Sequence, residues 1–204
     1  MPNRELTLQF LAEPSDVNFG GKVHGGMVMK WIDQAGYACA AGWCGGYAVT
    51  VYVGGIRFLR PIQIGQLVEV HAQVIHTGTT SMHLAVDVYS RHPTDTERHK
   101  TTHCIIIFVA MDEQGKPTPV PQWQPLSESD LQLQQYAKKL IALREEIDKE
   151  MRQHLGSSCL TARQSGRFRP TAAPLYNPPS SRNRNPAHVT GNCPARGKTR
   201  GGSD

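Results

Sequence analysis

The sequence predicts an α+β domain in which an antiparallel sheet wraps around one long helix. Three observations carry this expectation. A proline-free segment, Met27–Ala41, is apolar almost all round and reads as a single buried helix. A row of strand-like blocks follows it, with no further helix between them. Two of those blocks are joined by Gly78-Thr79-Thr80-Ser81, a connection of hairpin type. One helix followed by a meander of strands favours a sheet folded over that helix.

The elements follow in chain order. Glu5–Leu11 alternates Leu6, Leu8 and Phe10 in period two, as a half-buried strand does. Pro14 to Gly21 holds Pro, Asp, Asn and Gly and reads as a loop. His24-Gly25-Gly26 leads into the helix, where Val28, Ile32, Ala35 and Cys39 line one face and Met27, Trp31 and Ala38 another. The strand blocks are Tyr47–Val53, Leu67–Thr77, Met82–Arg91 and the Ile/Val-rich Thr101–Met111. Asp112 to Lys116 turns the chain, and Ser127-Glu128-Ser129-Asp130 starts a second helix running to about Leu155. Its stripe of Leu133, Tyr136, Leu140, Leu143, Ile147 and Met151 lies either on the domain's own surface or in a subunit contact.

Charge divides the chain. Residues 156–204 hold eight Arg and Lys against Asp204, a net +7 within a total of +5, so the first 155 residues carry −2. From Gly156 on, six prolines and six glycines are scattered without periodicity, and a disordered basic tail is expected. The expected organisation is a sheet-and-helix domain over 1–125, an amphipathic helix over 126–155 and the tail over 156–204. The tail has only Phe168 and Tyr176 for base stacking, so no specific nucleic-acid role is expected. The N-terminal MPNRELTLQFL has neither a basic nor an apolar signal region, and no apolar run approaches a membrane span. A cytoplasmic protein without membrane attachment is expected. Five cysteines without CxxC spacing read as free thiols. His99 and His103 are too far apart along a strand to share an ion, and His71 and His76 are expected on opposite faces, so no metal site is expected.

Three features can carry chemistry. Asp33 sits mid-helix among Met29, Trp31, Ile32, Ala35 and Tyr37. It is either a desolvated carboxylate suited to act as a base, or a member of a wet polar edge with Lys30 and Gln34. Gly25 and Gly26 at the helix start leave backbone N–H donors that can hold a developing oxyanion, with Asn18 upstream and His24 beside them. Thr79, Thr80 and Ser81 place three hydroxyls at a strand junction, for ligand binding or for turn chemistry.

Four separated stretches carry a resemblance: PSDVNFGGKVHGGMVMKWIDQAG at Pro14–Gly36, FLRPIQIGQLVEV at Phe58–Val70, GTTS at Gly78–Ser81 with VDVYSR after it, and FVAMDEQGKPTPVP at Phe108–Pro121. In order and spacing they resemble the hotdog-fold acyl-CoA thioesterases, both the bacterial broad-specificity type and the cytosolic long-chain type of animals. The resemblance covers roughly Glu5 to Pro121; the second helix is less typical, and the tail lies outside it. It implies a hotdog fold and hydrolysis of fatty acyl-CoA to free acid and CoA, without a cofactor. It implies Asp33 as nucleophile or general base and the N–H of Gly26 as oxyanion donor. Asn18 would come from a partner subunit of a dimer or trimer of dimers. His24, Gly25, Thr79, Thr80 and Ser81 would contact substrate. Gly54 departs from relatives, which often carry an acidic residue there. The rival reading is a non-catalytic acyl-CoA-binding hotdog module, a sensor, which needs no carboxylate beside the carbonyl site.

Overall fold

The structure, a computed structural model, describes residues 2–155. The expected tail over 156–204 lies outside the described residues. Five strands form one antiparallel sheet in the order β1-β3-β4-β5-β2: β1 Glu5–Leu11, β2 Ala48–Phe58, β3 Leu67–Thr77, β4 Ser81–Arg91 and β5 His99–Ala110. Helix α1 spans Gly25–Cys44 and helix α2 Glu128–Leu155. The expected architecture is found: α1 lies along the inner face of the curved sheet and touches all five strands.

The inner face is a product of alternation. Val68, Val70, Ala72 and Val74 of β3 point to α1, as do Met82, Leu84, Val86 and Val88 of β4 and Cys104, Ile106 and Phe108 of β5. Helix α1 answers with Val28, Trp31, Ile32, Ala35, Gly36, Cys39, Ala40 and Trp43, a stripe at steps of three and four. Gly36 has a packing reason. A Cβ there would lie 2.9 Å from the ring of Phe108 and 3.2 Å from Ile106, so only glycine lets helix and sheet approach this closely. The helix ends at Gly45, left-handed at φ 70°, whose N–H donates to Ala41 O at 2.9 Å. The irregular strap after β5 is pinned inward by Val120 and Trp123, and Trp43 Nε1 donates to Pro121 O at 2.9 Å.

Helix α2 packs on the opposite, outer face. Leu133, Ala137 and Leu140 meet Ile75, Ala85 and Ile105. Arg4 ties its start to the sheet, donating to Asp130 at 2.7 Å and to Gln73 Oε1 at 3.1 Å. Burial alone raises the Asp130 carboxyl, yet the Leu126 N–H and Arg4 outweigh it and hold the carboxyl below its ordinary value. Further along, His103 bridges Asp87 at 2.7 Å and Tyr136 at 3.1 Å. Of the two sequence alternatives for this helix, packing on the domain's own surface is found for its first half, while Leu143, Ile147 and Met151 stay exposed. No helix among the described residues is long and apolar enough to cross a membrane.

Several bounds move by one to three residues, and that of β2 by more. Strand β2 runs to Phe58 rather than stopping at Val53, because register slips at Thr50/Tyr52 and Gly54/Arg57 absorb the residues that break its alternation. A slip between Val74 and His76 also corrects the reading of two histidines. His71 pairs with Asp87 and His76 with His83, four apart on β4, so both histidines share the outer face.

Candidate active site

The helix start organises the site. His24 is the N-cap of α1, and its Nδ1 accepts from Gly26 N–H at 2.9 Å. The N–H groups of Met27 and Val28 both donate to His24 O. The oxyanion role expected of the Gly26 N–H is thus already taken by the His24 ring. Gly25 N–H is the first-turn donor without a protein acceptor among the described residues. A side chain at Gly25 would only touch Phe58, 3.6 Å from the ring.

Asp33 lies two turns further along, on the opposite side of the helix from the buried stripe. Trp31, Ile32 and Ala35 turn to the sheet, whereas Lys30, Asp33 and Gln34 turn outward. Of the two settings open in the sequence, the wet polar edge is the one found within the chain; the desolvated setting is not. The carboxylate is nevertheless held, since Thr50 Oγ1 of β2 donates to Asp33 Oδ1 at 2.6 Å. Sequence reasoning missed Thr50, which sits in an apolar block with nothing to mark it.

A cavity of about 340 Å³ opens beside this pair. Met29, Ile32, Val53, Ile56 and Ile106 make its apolar walls, and Gly26, Lys30 and Asp33 its polar edge. A carboxylate and a lysine at the edge of an apolar hollow, beside the start of α1, suit a substrate with a polar reacting centre and an apolar arm.

The remaining expected site residues do not converge here. Asn18 stands in an exposed loop, where its Oδ1 accepts from Gly20 N–H at 2.9 Å and Lys22 N–H at 3.4 Å. It shapes its own turn and does not line the cavity. Thr79, Thr80 and Ser81 occupy the β3–β4 turn, where Thr79 O accepts from Val120 and Thr80 O from Ala110. They too lie away from the Asp33 cavity of the same chain. Among the described residues, no three His, Cys, Asp or Glu side chains are placed to hold a metal ion.

Comparison with known proteins decides the family. The sequence profile of the thioesterase superfamily matches residues 20–97. The acyl-CoA thioester hydrolase YciA of Salmonella typhimurium is 37% identical over 123 residues, 59% of this chain and 92% of that protein. The chain belongs to the thioesterase superfamily. Protein VdlD of Helicobacter pylori is 31% identical over 140 residues, 69% of this chain and 80% of that protein. Among solved structures, an apo-hexameric acyl-CoA thioesterase superposes with a TM-score of 0.68 at 32% identity, covering 71% of this chain and 92% of that one. An acyl-CoA hydrolase from Staphylococcus aureus, solved with butyryl coenzyme A and coenzyme A, gives 0.69 at 25% identity over 74% and 92%. Alanine mutants of that hydrolase have been solved at an asparagine, an aspartate and a threonine lying fifteen and then seventeen residues apart. Asn18, Asp33 and Thr50 have the same spacing in this thioesterase.

Proposed function

We propose that the protein hydrolyses acyl-CoA thioesters, with Asp33 as the group that attacks or activates water. The observation that carries this reading is the Thr50–Asp33 hydrogen bond at 2.6 Å on the edge of an apolar cavity. The names of its relatives support it. The thioester carbonyl docks with its oxygen toward the first turn of α1, where the helix dipole and the Gly25 N–H stabilise the developing negative charge. Gly26 contributes by lacking a side chain, its N–H being held by His24. Thr50 donates to one carboxylate oxygen of Asp33 and leaves the other free to take a proton from water or to form an anhydride. Thiolate departure and protonation release CoA; the free acid forms directly where water has attacked, or after a water molecule hydrolyses the anhydride and restores the Asp33 carboxylate.

The working unit of this reading is a homodimer or a trimer of dimers. Asn18 supplies its amide to Asp33 of a neighbouring subunit, and Thr79, Thr80 and Ser81 hold substrate across a subunit boundary. Hexameric relatives support this, as does the position of β2 as an unpaired sheet edge beside the cavity. The sensor alternative has no use for a carboxylate oriented by a dedicated hydroxyl. Asp33→Asn, followed by thiol release from acyl-CoA and by thermal unfolding, tests the assignment. A folded variant with at least a hundredfold lower turnover is expected, on the order found when a catalytic proton acceptor is removed. A folded variant with wild-type turnover would overturn it.

A further inference from the structure

The β2 wall of the cavity has a spacing that a regular strand forbids. Thr50 holds Asp33, and Val53 and Ile56 line the cavity beside it, so three residues at intervals of three face α1. Alternation would turn every second one of them to the outer face. The two register slips prevent this, each adding one residue to β2 against β5. At the second slip, Gly54 pairs with Ile105 and Arg57 with His103, leaving Gly55 and Ile56 together opposite Cys104. Gly55 makes this possible with φ 62°, a conformation that residues with a Cβ rarely adopt.

The outer face carries a second device at the same place. The ring of Tyr52 folds back across Gly54, where a Cβ would lie 2.6 Å from the ring Cζ. Arg144 of α2 stacks on that ring, its guanidinium carbon 4.9 Å from the ring centre. Any side chain at Gly54 displaces the far end of a flexible tyrosine rather than the backbone, and with it the stack. Helix α2 is thereby coupled through the sheet to the strand that walls the cavity.

We propose that this doubly bulged strand selects the acyl chain, through Val53 and Ile56, and that Tyr52 and Arg144 are positioning residues that hold its register from the far side. The proposal rests on the thioester-hydrolase reading and names which part of the substrate is discriminated. A carbonyl placed between the α1 start and Asp33 sends its chain along Val53 and Ile56 toward Ile106. A methylene that fits or fails to fit such a wall changes kcat/KM by about tenfold or more. Glycine at 54 and the Tyr52–Arg144 stack form one unit, since an acidic side chain at 54 would occupy the space of the ring.

The test is kcat/KM for acetyl-, butyryl-, octanoyl- and palmitoyl-CoA, read with a thiol reagent on the full-length protein, with thermal unfolding in parallel. Ile56→Phe lowers the octanoyl-to-acetyl ratio by about tenfold and Ile56→Ala raises it. Should the larger side chain prevent folding, Ile56→Val and Ile56→Ala make the same comparison. Gly54→Ala and Arg144→Ala shift the ratio by roughly threefold while the turnover of acetyl-CoA stays at wild type, and Tyr52→Phe, which keeps the ring, keeps the ratio. Equal changes at every chain length in the Ile56 variants would overturn the selector. An unshifted ratio in both Gly54→Ala and Arg144→Ala would overturn the positioning role. Wild-type protein that hydrolyses no member of the series would instead overturn the hydrolase reading beneath it.

Discussion

Thr50→Val separates the role of one hydrogen bond from that of the site around it. The substitution is nearly isosteric, so the packing of β2 against β5 survives and only the donor to Asp33 Oδ1 at 2.6 Å is lost. A hydrogen bond to a charged group contributes about 1.5–3 kcal/mol when well shielded. Asp33 is exposed in the chain, so solvent screening brings this down to about 1–1.5 kcal/mol. At about 1.4 kcal/mol per decade, kcat/KM should fall roughly five- to tenfold. The assay is continuous thiol release from butyryl-CoA, with Thr50→Ser as control. Serine keeps the hydroxyl on the same strand position and should recover most of the rate. Full activity in Thr50→Val would refute the claim that the bond orients the carboxylate. A loss as large in Thr50→Ser, which keeps the hydroxyl, would show that the hydroxyl alone does not hold the carboxylate in place.

Acid should loosen the seat of α2. Burial under α2, together with the nearby His76 and Arg144, pushes His83 down from 6.5 to about 4. Such a group protonates more readily unfolded than folded, so its contribution is complete above about pH 6.5 and is lost as pH falls toward about 4, some 3 kcal/mol in all. Denaturant midpoints from pH 7 to 4 should drop steeply in wild type and less so in His83→Leu; parallel curves would refute this. Removing residues 156–204 should leave turnover and oligomer mass unchanged, and a large loss in either would make the tail part of the working domain. Asn18→Ala and Asp33→Asn proteins, each nearly inactive, should regain about a quarter of wild-type activity after subunit exchange, since half the dimers are mixed and each carries one intact site. No recovery despite proven exchange would place both residues' action within one chain.

The sequence makes legible whatever depends on regular periodicity. The bounds of β1 and β3 and the burial stripe of α1 follow from alternation and from steps of three and four, and the structure has them where expected. What escapes is every place where the period slips by one. Thr50 cannot be read as facing Asp33, because the count from Thr50 to Val53 to Ile56 has odd steps that only the bulges reconcile. The same kind of slip at Val74/His76 moved His76 to the face of His71. One signal was available: two glycines inside a strand-like run mark a bulge or a close approach, and Gly54-Gly55 is both. The cap on Gly26 was hidden for another reason. That His24 would accept from Gly26 rather than leave its N–H open depends on a side-chain rotamer, which no pattern of residue types encodes.

The two faces of α1 explain why the sequence left both settings of Asp33 open. Its residues are apolar nearly all round, but the chain's own sheet covers only one side of it. Met29 and Tyr37 remain exposed on the same side as Asp33, next to the edge strand β2 with its exposed Val53 and Phe58, and the loop of Asn18 presents a fully exposed Phe19. Isolated exposed apolar residues are ordinary, but a run of them along a helix and an unpaired edge is a surface built to be covered. Covering it with a second copy would remove water from around Asp33 and strengthen both the Thr50 bond and the pull of the helix start on an oxyanion. On this reading the desolvation inferred from the neighbours of Asp33 belongs to the assembled enzyme, and the exposed carboxylate of the single chain is its unassembled half.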